Sequence, residues 1–421
     1  MSEAAKKRRV TSIKGTHDIL PAQAGKWQRV ECTARELFEL YGYREIRTPI
    51  FEATELFEKG TGETSDIVMK EMYTFIDKGG RSLTLRPEYT PSVVRSIMEH
   101  RLHLLPQPMR YYFFGPMFRY DKPQKGRYRQ FHQVDIEVFG EKDAAIDAEI
   151  VEMAASLLEG VGAPGYRILI NSVGCRACRP DYHRALREKA EAHRADFCSD
   201  CRRKISTNPL RIFDCKLETC RRIAESLPKI TDFLCSECDD HLTAFRGHLD
   251  RYGLDYEVDP RLVRGLDYYT KTTFEFVSSE IGAQDAILGG GRYDDMMKDF
   301  GGPDLCGIGF AMGMERLLSI IPDRDAPQDF VYCVWLGGSA RAAAMRLARK
   351  LRRAGVETLV EYRERSLNKQ MSRSDKLGAR WAVIIGEDEV SRGKAQLKDM
   401  RTGEQREYPE DRILESIRAG G

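Results

Sequence analysis

Apolar residues recur at alternating spacings of three and four through Trp27, Val30, Ala34, Leu37 and Tyr41, which predicts an amphipathic helix over 22–41 stopped by Gly42. The next run, YREIRTPIFE, reads as a strand interrupted at Pro49, a residue that edge strands tolerate because it cannot donate to a ladder. Further on, Val134, Ile136 and Val138 alternate with Gln133, Asp135 and Glu137, so one face of this strand is core and the other a polar wall. An exposed sheet face alternates in the same way, and the neighbouring residues must decide between the two. The segment from about residue 173 to 252 is rich in Arg, Glu and Cys and helical by pattern. After Pro322 and the linker-like DRDAPQD, VYCVWLG reads as a strand, SARAAAMRLARKLRRAG as a helix ended by Gly355, and VETLVEY and RWAVIIGEDE as strands. That succession predicts a compact parallel α/β unit.

Charge favours a binding role for the polar wall over an exposed sheet face. Arg119, Lys122, Lys125, Arg127 and Arg129 stand against the single Asp121, and Pro123 and Gly126 make this run a loop between two strands. A guanidinium fork grips phosphate and carboxylate well, and a polar wall beside it suits an amino acid next to a nucleotide. The whole chain carries a net charge of only +2, which argues against a protein coated for non-specific nucleic-acid binding; RNA would be met through local patches such as this hairpin. With 421 residues, two or three domains are expected, and 42% hydrophobic with 31% charged residues is ordinary for a soluble globular protein. No apolar run approaches a membrane span, and MSEAAKKRRV lacks the apolar region of a signal peptide, so a cytoplasmic location is expected, with KKRRV as a solvated tail. There is no GxxxxGK[ST] loop, GxSxG elbow or HExxH pair. A chain like this that handles ATP does so with arginines on a sheet.

Eight of the 11 cysteines fall between Cys175 and Cys238, as the pairs Cys175 with Cys178, Cys198 with Cys201, Cys215 with Cys220, and Cys235 with Cys238. The nineteen residues between Cys178 and Cys198 suit a two-knuckle zinc site made of Cys175, Cys178, Cys198 and Cys201, with Cys215, Cys220, Cys235 and Cys238 as further candidates. Unmetallated thiols in a small core, or redox chemistry, are the alternatives; disulfides are disfavoured in a reducing cytosol. Cys32, Cys306 and Cys333 sit in apolar patterns and are expected to be buried.

The text around Phe118 and Arg119, running into the basic loop, closely resembles motif 2 of class II aminoacyl-tRNA synthetases, specifically the bacterial type of the histidyl-tRNA synthetase family. KGTHDILP (14–21), TLRPEYT (84–90), LVRGLDYYT (262–270), GGGRYD (289–294) and GIGFAMGMERL (307–317) extend the resemblance over nearly the whole chain. It implies an α/β fold: a class II antiparallel-sheet catalytic domain over 1–325, a helical, Cys-rich insertion at about 173–252, and an α/β anticodon-binding domain over 327–421. The implied activity is ATP-dependent activation of L-histidine and its transfer to the 3′ end of the histidine tRNA. The implied assembly is a homodimer through motif 1, which the 43–52 segment resembles, and Mg²⁺ is implied on the phosphate oxygens.

The resemblance also carries residue roles. Arg119 is similar to the arginine that holds the α-phosphate and the histidine carboxylate, Arg316 to the one on the γ-phosphate, and Arg264 to the one on the α-phosphate side where relatives place a metal ion; the resemblance makes Arg119 and Arg264 the expected catalytic residues and Arg264 a histidine-binding one as well. Glu137 is similar to the acid that accepts from the imidazole, while Glu88, Thr90 and Gln133 resemble the residues around the α-amino group. Tyr268, Tyr269 and Tyr293 are expected to line the ring pocket. The family's usual glycine between the acid and the threonine is Tyr89 here, a side chain expected to narrow the pocket. Lys122 and Arg127 are expected on tRNA phosphates and Gln124 on a base at the acceptor end, where the family reads an extra 5′ guanosine. The rival reading is a catalytically silent paralogue acting as a regulatory subunit. Such paralogues lose motif residues and the C-terminal domain, whereas this chain keeps Arg119, Glu137, Arg264, Arg316 and an α/β tail.

Overall fold

The computed structural model describes residues 10–62, 65, 67–124, 126–281, 286–323 and 329–419. Lys125 of the basic loop and the KKRR of the N-terminal tail lie outside the described residues. The chain divides into two compact units, Met1–Asp323 and Arg324–Gly421.

The first unit is built on an eight-stranded sheet, in the order Arg44–Glu45, Met109–Phe118, Gln130–Phe139, Gly307–Gly313, Ala286–Arg292, Thr270–Val277, Arg167–Ser172 and Tyr256–Val258. The two short outer strands pair in parallel and all inner neighbours are antiparallel. The first helix runs Pro21–Leu40, with Gly42 at φ 81° turning the chain, and its Val30, Ala34 and Phe38 are buried. Together with Ala144–Gly160 and Ser236–Tyr252 it covers one face of the sheet, meeting Val134, Ile136 and Val138 in one large core. The last of these helices therefore belongs to the main core, through Leu242, Phe245 and Leu249, although its sequence reads as part of the cysteine-rich segment. The opposite sheet face packs on Thr90–Glu99 through Val93, Val94 and Ile97 only at its edge. The remainder of that face is the polar wall, and Asp135 and Glu137 on it are buried rather than solvated.

The 43–52 segment is not one strand. Arg44–Glu45 joins the large sheet, and Phe51–Ala53 joins a separate three-stranded sheet with Tyr73–Ile76 and Ser82–Leu85. Pro49 sits between the two, where no ladder donor is required. The second unit also departs from the expected parallel arrangement. Val331–Leu336 pairs in parallel with Thr358–Val360 and Trp381–Gly386, but a hairpin of Lys394–Asp399 and Gln405–Pro409 then adds antiparallel strands and makes the sheet mixed. Ala340, Ala343, Ala344, Leu347 and Leu351 bury the face of helix Gly338–Arg353 against it.

Arg292, fully buried at the end of strand Ala286–Arg292, locks the layers of the first unit together. It holds Asp147 of helix Ala144–Gly160 with both Nε and Nη2 and donates from Nη1 to the Glu141 carbonyl at 2.8 Å. His241 of helix Ser236–Tyr252 meets the same carboxylate at 2.8 Å and Thr272 at 3.2 Å. Burial pushes the Asp147 carboxyl up, but Arg292 and His241 pull it below its ordinary value. Its stabilising charge is therefore present at neutral pH and lost only in acid. Arg292→Met is expected to strand a buried carboxylate and destabilise the first unit by about 3–5 kcal/mol in calorimetric unfolding, with Asp147→Leu added to it recovering part of the loss; a single variant as stable as the parent would contradict this role.

Candidate functional site

The polar wall forms one side of a cavity of about 520 Å³. Three glycines make the room for it. A Cβ at Gly289 would lie 2.3 Å from the Arg264 guanidinium, one at Gly309 would lie 2.2 Å from Glu137 Oε2, and one at Gly307 would lie 2.2 Å from the Tyr293 ring. The glycine-rich strands are thus the cost of bringing large polar side chains onto the sheet surface.

Glu88 lies between strand Ser82–Leu85 and helix Thr90–Glu99, and its carboxylate accepts from Tyr268 Oη and from Thr61 Oγ1, each at 3.0 Å. Burial pushes Glu88 up to about 7, against the pull of Arg119. Glu137, across the ladder from Gly309, accepts from Thr90 Oγ1 at 2.5 Å and from the Tyr293 hydroxyl. Burial drives it up to about 8 despite those hydroxyls, with Glu88 adding to the rise. Tyr268 packs against Tyr269 and edge-on to Tyr293, with centroids 4.7 and 5.7 Å away. Gln133 and Asp135 also line this end, and each has a buried side-chain oxygen without a partner among the described residues. Acids with raised pKa values beside unpartnered oxygens form a cradle for a cation that also donates hydrogen bonds.

The other end of the cavity is cationic. Arg119 extends from strand Met109–Phe118, donates from Nε to the Pro87 carbonyl at 2.8 Å and lies 5.1 Å from the Phe131 ring centroid. Arg316, in the short helix Met314–Leu318, donates to the carbonyls of Gly126 at 3.2 Å and Ala286 at 3.0 Å. Arg264 is paired with Glu275, and its Nε is buried without a hydrogen-bond partner among the described residues. Burial lowers the pKa of both Arg119 and Arg316, and for Arg316 the neighbouring Arg127 adds to the effect. Such clustering of like charge is the mark of a site for a polyanion.

All eight sequence-derived candidates for amino-acid binding, and Arg119 and Arg316 with them, line this one cavity. Arg127 lines it too, pinned to Asp121 at 2.6 Å, whereas Lys122 and Gln124 are exposed on the outer side of the hairpin. Tyr89 is itself among the residues that line the cavity. Its ring stacks on Phe113 with centroids 3.6 Å apart, and its hydroxyl donates to the Ile46 carbonyl at 2.6 Å, away from Glu88 and Thr90. Residues that the sequence reading passed over complete the wall: Lys204, Arg211, Asp214 and Lys216 enter it from the cysteine-rich segment. For Arg211, Asp214 and Lys216 the spacing of polar residues in NPLRIFDCK was the one available signal.

The cysteines do gather, but in a different grouping from the expected one. Cys175, Cys178, Cys235 and Cys238 form one cluster and Cys198, Cys201, Cys215 and Cys220 another, with all ligand atoms of each within 4.8 Å of one another. Cys175 and Cys178 thus close with the last pair of the segment and not with the next one, because helix Ser236–Tyr252 returns to the main core beside them. Cys175 Sγ lies 3.7 Å from Cys178 Sγ and 3.8 Å from Cys235 Sγ. Tetrahedral zinc with bonds of about 2.3 Å requires sulfur separations of about 3.8 Å, so the donor set fits that ion. Backbone N–H groups point at the sulfurs, Cys235 N at Cys178 Sγ (3.1 Å) and Cys201 N at Cys198 Sγ (3.4 Å), and the latter contact draws the Cys198 thiol down to about 7. Of the remaining cysteines, Cys306 and Cys333 are buried as expected but Cys32 is exposed, on the outer side of its helix.

An antiparallel sheet that presents arginines at a strand end and in the helix after its last strand, with no glycine-rich phosphate loop, defines a class II aminoacyl-tRNA synthetase domain. The family model described as Histidyl-tRNA synthetase matches residues 15–317, and that described as Anticodon binding domain matches residues 331–419. The chain belongs to the histidyl-tRNA synthetase family. It is 48% identical over 415 residues to the histidine–tRNA ligase of Halothermothrix orenii, covering 97% of this chain and 99% of that one. It is 49% identical over 416 residues to that of Desulforamulus reducens, with the same shares. Among solved structures, apo histidyl-tRNA synthetase from S. aureus superimposes with a TM-score of 0.81 at 38% identity, over 97% of this chain and 99% of that chain.

The acid pair gives a proton prediction. Near pH 7 Glu88, at about 7, and Glu137, at about 8, hold protons that the carboxyls of an unfolded chain have lost. A ligand ammonium beside Glu88 favours its charged form and releases that proton. Titration calorimetry with histidine at pH 7, in two buffers of different ionisation enthalpy, should show net proton release, and affinity should rise from pH 6 to 8. Net uptake would contradict the assignment of these raised values.

Proposed function

We propose that the cavity divides the work of the histidine–tRNA ligase reaction between its two ends. The observation that carries this reading is that Glu88 and Glu137, with the hydroxyls of Tyr268, Thr90 and Tyr293, share one cavity with Arg119, Arg264 and Arg316. Full-length relatives named histidine–tRNA ligase support the enzyme over the silent regulatory subunit. Glu137 and Tyr293 take the imidazole, Glu88, Thr90 and Gln133 take the α-ammonium, and Tyr268 and Tyr269 wall the ring. Arg119 and Arg264 bring the histidine carboxylate against the α-phosphate of ATP, and Arg316 holds the γ-phosphate. When a carboxylate oxygen attacks the α-phosphorus and pyrophosphate departs, the charge that develops is met by cations already fixed in place by Pro87, Glu275, Gly126 and Ala286. Synthetases of this kind use ATP with Mg²⁺; Glu275 and Glu315 supply hard oxygen donors in the cavity wall that suit that ion.

The adenylate is then consumed by the 3′ end of the histidine tRNA. Lys122 and Gln124, both exposed, meet the acceptor end together with Arg127, which lines the cavity, and the second unit takes the anticodon. Exposed Ile50, Phe51, Phe75 and Ile76 leave an apolar surface around the motif 1 segment, which supports a homodimer formed there. No helix among the described residues is long and apolar enough to cross a membrane, in keeping with a cytoplasmic enzyme. Each cysteine cluster holds one structural Zn²⁺.

The functional reading is tested by pyrophosphate exchange. Glu137→Gln removes a charged hydrogen bond and should raise the histidine KM roughly tenfold to a hundredfold, equivalent to about 1.5–3 kcal/mol, while the ATP KM stays put. An unchanged histidine KM would refute the role of Glu137.

The metal reading is tested by elemental analysis of protein purified without chelator, which should find two zinc ions per chain. Cys175→Ser and Cys198→Ser should each lose one ion together with thermal stability. Metal-free protein of full stability would leave only a thiol core.

A further inference from the structure

We infer that Arg211 is a positioning residue for adenylate formation: it couples the second cysteine cluster to the loop that carries Arg264, Tyr268 and Tyr269. This rests on the reading of those three residues as substrate-binding groups. Residues 262–269 belong to no helix or strand, so no ladder of their own aims these side chains into the cavity. The aim comes from outside. Arg211 Nη2 donates to the carbonyl of Gly265, next to Arg264, and lies 3.3 Å from Asp267 Oδ1. Asn208 Nδ2 donates to the same Asp267 oxygen at 3.0 Å. Arg211 Nη1 is itself held by Asp214 at 3.2 Å, so the guanidinium is fixed between its own turn and the catalytic loop.

The turn that presents these groups, Pro209–Ile212, lies between the two halves of the second cluster, Cys198 with Cys201 before it and Cys215 with Cys220 after it. The first cluster does the same at the other end of the loop. Arg179, one residue beyond Cys178, donates to the carbonyls of Tyr269 and Val173, the latter at 3.1 Å. Two arginines, each anchored beside a cysteine cluster, thus grip the loop at Gly265 and at Tyr269. Exposed arginine–carboxylate contacts contribute little, but these bonds go to backbone carbonyls from a side chain that is only 12% exposed.

The test uses the full-length, metal-loaded protein in pyrophosphate exchange, with Arg211→Gln, Asp267→Asn and the double variant. A misplaced loop should lower kcat about tenfold to a hundredfold. The histidine KM should rise less than kcat falls, and the zinc content and the thermal unfolding midpoint should stay as in the parent. The double variant should be no worse than the poorer single one, and Arg211→Lys should restore part of the rate. Parental kcat in both Arg211→Gln and Asp267→Asn, or losses that simply add, would overturn the proposal. Arg264→Ala serves as the reference. If it keeps full exchange, the catalytic reading of the loop fails; if it loses exchange while Arg211→Gln does not, the positioning role alone fails.

Discussion

The buried pair of Arg292 and Asp147 is the interaction on which the first unit turns. Strand Ala286–Arg292 lies in the middle of the sheet, and its last side chain reaches through to helix Ala144–Gly160, whose carboxylate in turn binds His241 of helix Ser236–Tyr252. A charge so placed is stabilising only when every neighbour is satisfied, and here the Glu141 and Asp143 carbonyls and Asp294 complete the set. The register of the strand is fixed at its end as a result. Tyr293 follows directly, so the same anchor places its hydroxyl against Glu137.

The site is a second consequence of that register. Gly289, Gly307 and Gly309 occupy the points at which Arg264, Tyr293 and Glu137 cross the sheet face, and a methyl group at any of them would displace a cavity-lining side chain. Burial then does the electrostatic work. At one end it leaves two acids with pKa values near neutrality, ready to release their protons to solvent when a cationic amino acid binds; at the other it crowds arginines that only a polyanion relieves. A neutral apolar ligand would satisfy neither end.

The cysteine-rich segment meets a different constraint. Its own apolar core is modest, built around Tyr182, Leu186, Phe197, Ile205 and Ile212, and two clusters of four sulfurs lie within and beside it. Small subdomains commonly obtain rigidity from metal in place of core. Rigidity matters here because the segment contributes Lys204, Arg211, Asp214 and Lys216 to a cavity otherwise made by the sheet.

Much of this was legible in the chain itself. The alternation of Val134, Ile136 and Val138 with Gln133, Asp135 and Glu137, the helix stopped at Gly42 and the basic hairpin after Arg119 are local patterns, set by side-chain period and by turn chemistry that a sequence carries directly. The motifs also pointed to the residues that share the cavity, although not to the orientation of Tyr89, which packing on Phe113 decides. Other features depended on distant chain crossings. Which cysteines meet was settled by helix Ser236–Tyr252 joining the main core, and spacing along the chain could not reveal it. The mixed sheet of the second unit arises from a hairpin at Lys394–Asp399 and Gln405–Pro409 whose pairing is antiparallel, and the split of residues 43–52 between two sheets follows from partners far along the chain. Local propensity fixes what a segment can become; only the tertiary structure, through long-range burial and hydrogen bonding, decides against what it rests.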